Sequence, residues 1–200
     1  MRYNTPDPGL DYYAIYEQPE NSTYPYPETA YGVMSWWDYG HIITYYGRRI
    51  PNANPFQAGI GGGPDHAPGA STFLIAPTEE GANEVLEKLG INGKPGARYV
   101  VSNAYMAYAI QPGLRAFTSM EAKLHIFDTN GLSHYRLVHE STPNPYTSGG
   151  NAERWFKNVY NVLYGGNLPV EDSGYAKIFE YVKGARITAL GRRGSGSPEL

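Results

Sequence analysis

At 200 residues the chain is long enough for one domain with a sizeable core, and having no cysteine it excludes disulfides, thiolate metal sites and a cysteine nucleophile. A net charge of −3, from 16 basic and 19 acidic residues, argues against nucleic acid, whose phosphates ask for a basic stripe. No apolar run approaches the roughly 20 residues that span a bilayer, and Met1-Arg2-Tyr3 opens no signal peptide, so the chain reads as soluble or as the soluble part of something larger.

In chain order, residues 1–30 are rich in Pro, Tyr and Asn and read as an extended segment wrapping the surface. A helix starting near Asp38 would carry Ile42, Ile43 and Tyr46 on one face. Residues 51–70 (PNANPFQAGIGGGPDHAPGA) form a long Gly/Pro loop, and Gly61-Gly62-Gly63 lacks the Lys-Ser/Thr of a phosphate loop. Ala82, Val85, Leu86 and Leu89 recur at helical spacing, with Thr78 as N-cap and Gly90 as stop. Residues 98–101 (RYVV) read as a buried strand, and Ser102 to Ile110 as a helix that Pro112 breaks or kinks. Ser119 caps a further helix (MEAKLHIF), and residues 134–140 (HYRLVHE) alternate as a strand does. Residues 152–163 place Ala152, Trp155, Phe156, Val159 and Leu163 on one helical face. Residues 176–191 read as a hairpin turning at Gly184, and 191–200 as a flexible tail or linker. The fold expected is α+β and helix-dominated: a compact helical core with a few short strands, a C-terminal β-hairpin and no βαβ alternation, in a single domain over 1–190.

The stretch MSWWDYG (34–40) is the most informative chemically. Trp36, Trp37 and Asp38 offer two indole donors and a charged acceptor within three residues, which a plain core does not need. The bland reading is an aromatic corner with Asp38 capping a helix. Elsewhere, His41, Asp65, His66, His125, His134 and His139 lack the HExxH or HxH spacing of a metal pair, so no metal site is expected. There is no G-x-S-x-G elbow, and no acidic pair suited to a glycosidase stands out.

The segment SWWDYGHIITYYGRRIPNANPFQAG carries a WWDYG signature and resembles the catalytic subunits of oligosaccharyltransferases, its continuation looking like the archaeal (AglB) branch. LGINGKPGARYVVSN, SMEAKLHIFDTNGLSHYRLVHES and KIFEYVKGARI resemble that branch in the same order, so the likeness covers about residues 31–190. The resemblance implies an enzyme, a glycosyltransferase joining an oligosaccharide from a dolichyl-type lipid carrier to the asparagine of Asn-X-Ser/Thr, the reaction of N-glycosylation. In that family a membrane half holds the catalytic acids and a divalent metal (Mn or Mg), and a globular C-terminal half carries WWDYG. By resemblance this chain is the C-terminal globular domain at the extracytoplasmic face of a membrane, with no catalytic residue and no metal of its own, and inactive alone. The implied partners are an acceptor polypeptide with Asn-X-Ser/Thr and, through the membrane half, the lipid-linked oligosaccharide; nucleic acid is not among them.

The implied site is a gauge for the Ser/Thr hydroxyl: Asp38 accepts its proton while Trp36 and Trp37 donate to its oxygen. The family has a second element on a kinked helix, and the matching candidate is Asn103-x-x-Met106-x-x-x-Ile110. That pattern favours an apolar type, with Met106 facing a threonine methyl; a shifted register would instead bring in Lys123 or Arg115, and the bland reading makes Met106 and Ile110 simple core. The rival function is a free-standing secreted carbohydrate- or peptide-binding module, suggested by the Tyr/Trp content. Membrane spans encoded upstream would discriminate between the two.

Overall fold

One mixed sheet of five strands organises the chain, in the order β2-β1-β3-β5-β4. The computed structural model describes residues 1–20, 22–107, 118–142, 161 and 174–182. Strands β1 (Gly32–Met34), β2 (Ile50–Pro51) and β3 (Tyr99–Asn103) are parallel, Val33 pairing with Pro51 on one side and Tyr99 on the other. Strand β5 (Ala176–Tyr181) is antiparallel to β3, and β4 (Tyr135–Glu140) is antiparallel to β5.

This sheet corrects the helix-dominated expectation. The helices among the described residues are short: α1 (Gly40–Tyr45), α2 (Ala70–Leu74), α3 (Glu79–Lys88) and α4 (Met120–His125). The connections β1-α1-β2 and β2-α2-α3-β3 join parallel strands, the alternation that the sequence did not reveal. Strands of three and two residues are too short to display a period of two. The expected C-terminal hairpin is corrected too: β5 lies between β3 and β4, and residues 183–191 lie outside the described residues. So do Ile110, Pro112, the tail and all of the expected helix 152–163 except residue 161.

Side-chain alternation builds two cores. Met34, Val100 and Phe179 face α2, α3 and α4, meeting Phe73, Leu74, Leu86, Met120 and Leu124. Their neighbours Val33, Tyr99 and Ile178 face the other way and pack with Ile43, Met1 and Tyr31. Where local rules were strong the helices formed as expected. Thr78 Oγ1 accepts the Gly81 N–H at 3.1 Å, and Ser119 Oγ accepts the Ala122 N–H at 3.2 Å.

Helix α1 departs from expectation. Ile43 is buried, but Ile42 is 53% and Tyr46 70% exposed. Gly40 decides this: a Cβ there would sit 2.3 Å from Ala53 O, so the Gly40–Ile43 stripe is the one that faces inward. Arg49, buried in turn, ties the N-terminal segment down by donating to Thr5 Oγ1 (3.0 Å) and Thr5 O (2.9 Å).

Candidate functional site

The chain leaves β1 through a single 3₁₀ turn, Trp37–Tyr39, before α1 begins. Ser35 is buried and donates to Trp36 O at 3.1 Å; the Tyr39 N–H reaches the same carbonyl at 3.1 Å and closes the turn. Asp38 therefore lies inside the turn and caps no helix, since Trp36 and Tyr39 hold the cap positions.

The turn holds both indoles partly buried and Asp38 exposed. Trp36 and Trp37 pack against the main core with their rings tilted at 50° and their centroids 5.9 Å apart. Among the described residues, neither indole N–H nor the Asp38 carboxylate has a hydrogen-bond partner. Two donors and one acceptor are thus left unused on one turn. That combination can bind a hydroxyl, which needs an acceptor for its proton and donors for its oxygen.

Sheet topology brings the second sequence candidate to the same end. Strands β1 and β3 are parallel neighbours, so the turn after Met34 and the residues ending β3 leave the same edge. From there the chain runs to β2 on one side and towards β4 on the other. Such a divergence outside the carboxyl ends of parallel strands is a recurrent place for ligands.

Strand β3 extends through Asn103, two residues beyond the expected limit, and helical backbone starts at Ala104. Asn103 is buried; its Oδ1 accepts the Met106 N–H at 3.0 Å and the Tyr39 hydroxyl at 3.4 Å. Burial, and then Tyr175, push the Tyr39 phenol pKa upward, so this hydroxyl remains a donor. Met106 is 2% exposed and belongs to the core cluster against which both tryptophans pack. Behind Asn103, its backbone N–H meets Glu121 Oε1 at 3.1 Å. Neither the Tyr39 contact nor Glu121 was legible beforehand, because both arise from pairing between distant segments.

No described group of three His, Asp or Glu is placed to hold a metal ion. The histidines are dispersed: His125 is buried beside Ser102 Oγ (3.0 Å), His134 pairs with Glu79 (3.1 Å), and His139 meets Asn4 (3.2 Å). No described helix is long and apolar enough to cross a membrane. A cavity of about 690 Å³ lies elsewhere, lined by Tyr24, Tyr26, Tyr31, Asn52, Leu89 and Lys94 among others. It does not include the tryptophans; the unused polar groups after β1 are the stronger evidence, because they carry directional chemistry.

Comparison with known proteins is consistent across sequence and fold. The family model of the AglB core domain matches residues 1–107. Dolichyl-phosphooligosaccharide-protein glycotransferase 3 of Archaeoglobus fulgidus is 33% identical over 94% of this chain and 32% of its own length. A structure of the archaeal oligosaccharyltransferase AglB from the same organism, in complex with an inhibitory peptide and a dolichol-phosphate, aligns with a TM-score of 0.69 and 30% identity. It covers 82% of this chain and 28% of that one. A crystal structure of an Archaeoglobus fulgidus oligosaccharyltransferase tethered with an acceptor peptide containing the NVT sequon aligns at TM-score 0.62 and 29% identity, over 82% and 29%. The chain spans about a third of the length of these relatives.

Proposed function

This chain belongs to the AglB core-domain family of archaeal oligosaccharyltransferases, and from that premise we propose that it is the acceptor-recognising C-terminal domain of a longer transferase. Its task is to read the Ser or Thr hydroxyl of Asn-X-Ser/Thr while glycan transfer proceeds elsewhere in the polypeptide. The observation that carries this reading is the turn after β1, where Trp36, Trp37 and Asp38 keep their polar atoms free of partners among the described residues.

The chemistry runs through matched hydrogen bonds. Asp38 accepts the hydroxyl proton and the two indole N–H groups donate to the hydroxyl oxygen. An acceptor with alanine in that place leaves these groups unpaired on binding, which is how a polar site rejects an analogue lacking its hydroxyl. Met106 belongs to the core cluster on which the tryptophans rest, and Asn103 fixes the start of the helical segment that carries Met106.

The catalytic acids, the divalent metal and the dolichyl-linked donor belong, in this reading, to the remaining two-thirds of a full-length enzyme, with this domain on the extracytoplasmic side. The oligosaccharyltransferase relative with a tethered sequon peptide supports the acceptor assignment by analogy. Trp36→Phe and Trp37→Phe test it, since each keeps a ring and removes the N–H. In the full-length enzyme each should lower transfer to Asn-X-Thr peptides by about 2- to 10-fold, the worth of one hydrogen bond, without affecting Asn-X-Ala background. Parental rates in both variants would refute the indole roles.

A further inference from the structure

Glu121 is a buried acid that no described residue balances. It is 1% exposed in the first turn of α4; its Oε1 accepts the Asn103 N–H at 3.1 Å, and its Oε2 has no hydrogen-bond partner among the described residues. Other buried charges in the sheet are paired. Glu180 meets Arg98 and Arg136, and Lys177 meets Asp128 and Glu140. Among the described residues no cation reaches Glu121, so an ionised carboxylate there would lack both water and a counter-charge. Burial accordingly raises its pKa to about 8, against a small opposing pull from the Asn103 N–H.

Its location gives the neutral acid a task. Pairing of β1 with β3 ends at Met34–Val100, so among the described residues the end of β3 has no strand on that side. The Ala104 N–H turns to Tyr175 O at 2.8 Å on the β5 side, and the Asn103 N–H points the opposite way, where Glu121 supplies the acceptor. Asn103 then presents its Oδ1 to the Met106 N–H and to the Tyr39 hydroxyl, so the link runs from α4 through the end of β3 into the WWDYG turn.

We propose that Glu121 is a positioning residue of the hydroxyl site: by holding the end of β3 it sets, through Asn103, the relation between Tyr39, Met106 and the two tryptophans. This rests on the reading of Trp36, Trp37 and Asp38 as the acceptor site. Glu121 touches no substrate; it acts through Asn103.

The test uses the full-length transferase with a Thr acceptor peptide, comparing Glu121→Gln, Glu121→Leu and Asp38→Ala. Glutamine keeps the acceptor oxygen and cannot ionise, so KM and kcat should stay within about twofold of the parent. Leucine fills similar space without an acceptor, and should raise the peptide KM about tenfold with kcat within about twofold. A folded Glu121→Leu enzyme with parental KM overturns the proposal, as does a Glu121→Gln enzyme impaired as badly as leucine. Where Glu121→Leu does not fold, Asn103→Ala carries the test: it keeps the backbone bond and cuts the side-chain link, and a parental KM overturns the proposal. Asp38→Ala separates the two claims. If it abolishes hydroxyl discrimination while Glu121→Leu leaves KM unchanged, only the positioning proposal fails; if discrimination survives, the site reading fails and takes this proposal with it.

Discussion

The Tyr39 hydroxyl lies 3.4 Å from Asn103 Oδ1, joining residues 64 apart in sequence. One belongs to the turn after β1, the other ends β3, and the parallel pairing of those strands is what lets them meet. The bond is long, and Asn103 Oδ1 keeps the Met106 N–H without it. Tyr39→Phe should therefore cost only about 0.5–1.5 kcal/mol, near the lower end. Urea unfolding measures it; a loss above about 3 kcal/mol would exceed a single hydrogen bond and contradict this assignment.

Gly40→Ala sets two effects of opposite sign against each other. Helix propensity alone favours alanine by about 1 kcal/mol. The new Cβ, however, would lie 2.3 Å from Ala53 O and 2.7 Å from Asn54 Cα, both backbone atoms. Overpacking of this kind costs about 1–3 kcal/mol and should win, lowering the melting temperature. A rise would mean that α1 is not pressed against residues 53–54.

Met106→Ala removes a side chain that is 2% exposed, and should cost about 2–5 kcal/mol, whereas the volume-conserving Met106→Leu should cost less than about 1.5 kcal/mol. The sequence left Met106 between a contact with the threonine methyl and simple core, and its burial favours the second. A residue of the core cluster beneath the indoles acts on both hydroxyl acceptors alike, so Met106→Ala should reduce transfer to Thr and Ser peptides in equal proportion. A loss confined to Thr peptides would instead mean direct contact with the threonine methyl.

Glu121 gives stability a definite pH dependence. Its folded pKa is raised from 4.5 to about 8, so between those values the folded chain holds a proton that the unfolded chain has released. Stability then falls as pH rises, by up to about 1.4 kcal/mol per pH unit. His125 has the opposite slope at lower pH: burial, then Lys177, lower its pKa from 6.5 to about 3, and its contribution is lost as pH falls through that window. Glu121→Gln removes only the first slope. Relative to the parent, it should gain stability steadily from pH 4.5 to about 8 in denaturant titrations. Parallel profiles for the two proteins would contradict the buried neutral acid.

What the sequence disclosed depended on how local the signal was. Helices α3 and α4 were legible because Thr78 and Ser119 cap them and their apolar residues repeat at helical spacing. Strands β1 and β2 were not, since Gly32–Met34 and Ile50–Pro51 take their identity from pairing partners far along the chain. Helix α2 begins at Ala70, the last residue of the segment read as Gly/Pro loop; Thr72 Oγ1 caps it by accepting the Gly69 N–H at 2.9 Å, a reach backwards that no N-cap pattern signals. Trp36, Trp37 and Asp38 were conspicuous because their residue types are expensive to leave without partners. Glu121 looked like an ordinary helix acid, and only its burial against the end of β3 gives it significance.

The most direct measurement is transfer by the full-length enzyme and its Asp38→Ala form to matched peptides carrying Asn-X-Thr, Asn-X-Ser and Asn-X-Ala. A charge-assisted hydrogen bond to the hydroxyl is worth about 1.5–3 kcal/mol, or roughly 10- to 150-fold in kcat/KM. The parent should prefer the two hydroxyl acceptors by at least that factor, and Asp38→Ala should bring them down towards the Asn-X-Ala level. An Asp38→Ala enzyme that keeps the parental preference, or loses activity equally on all three peptides, would contradict the assignment of this turn as the reader of the acceptor hydroxyl.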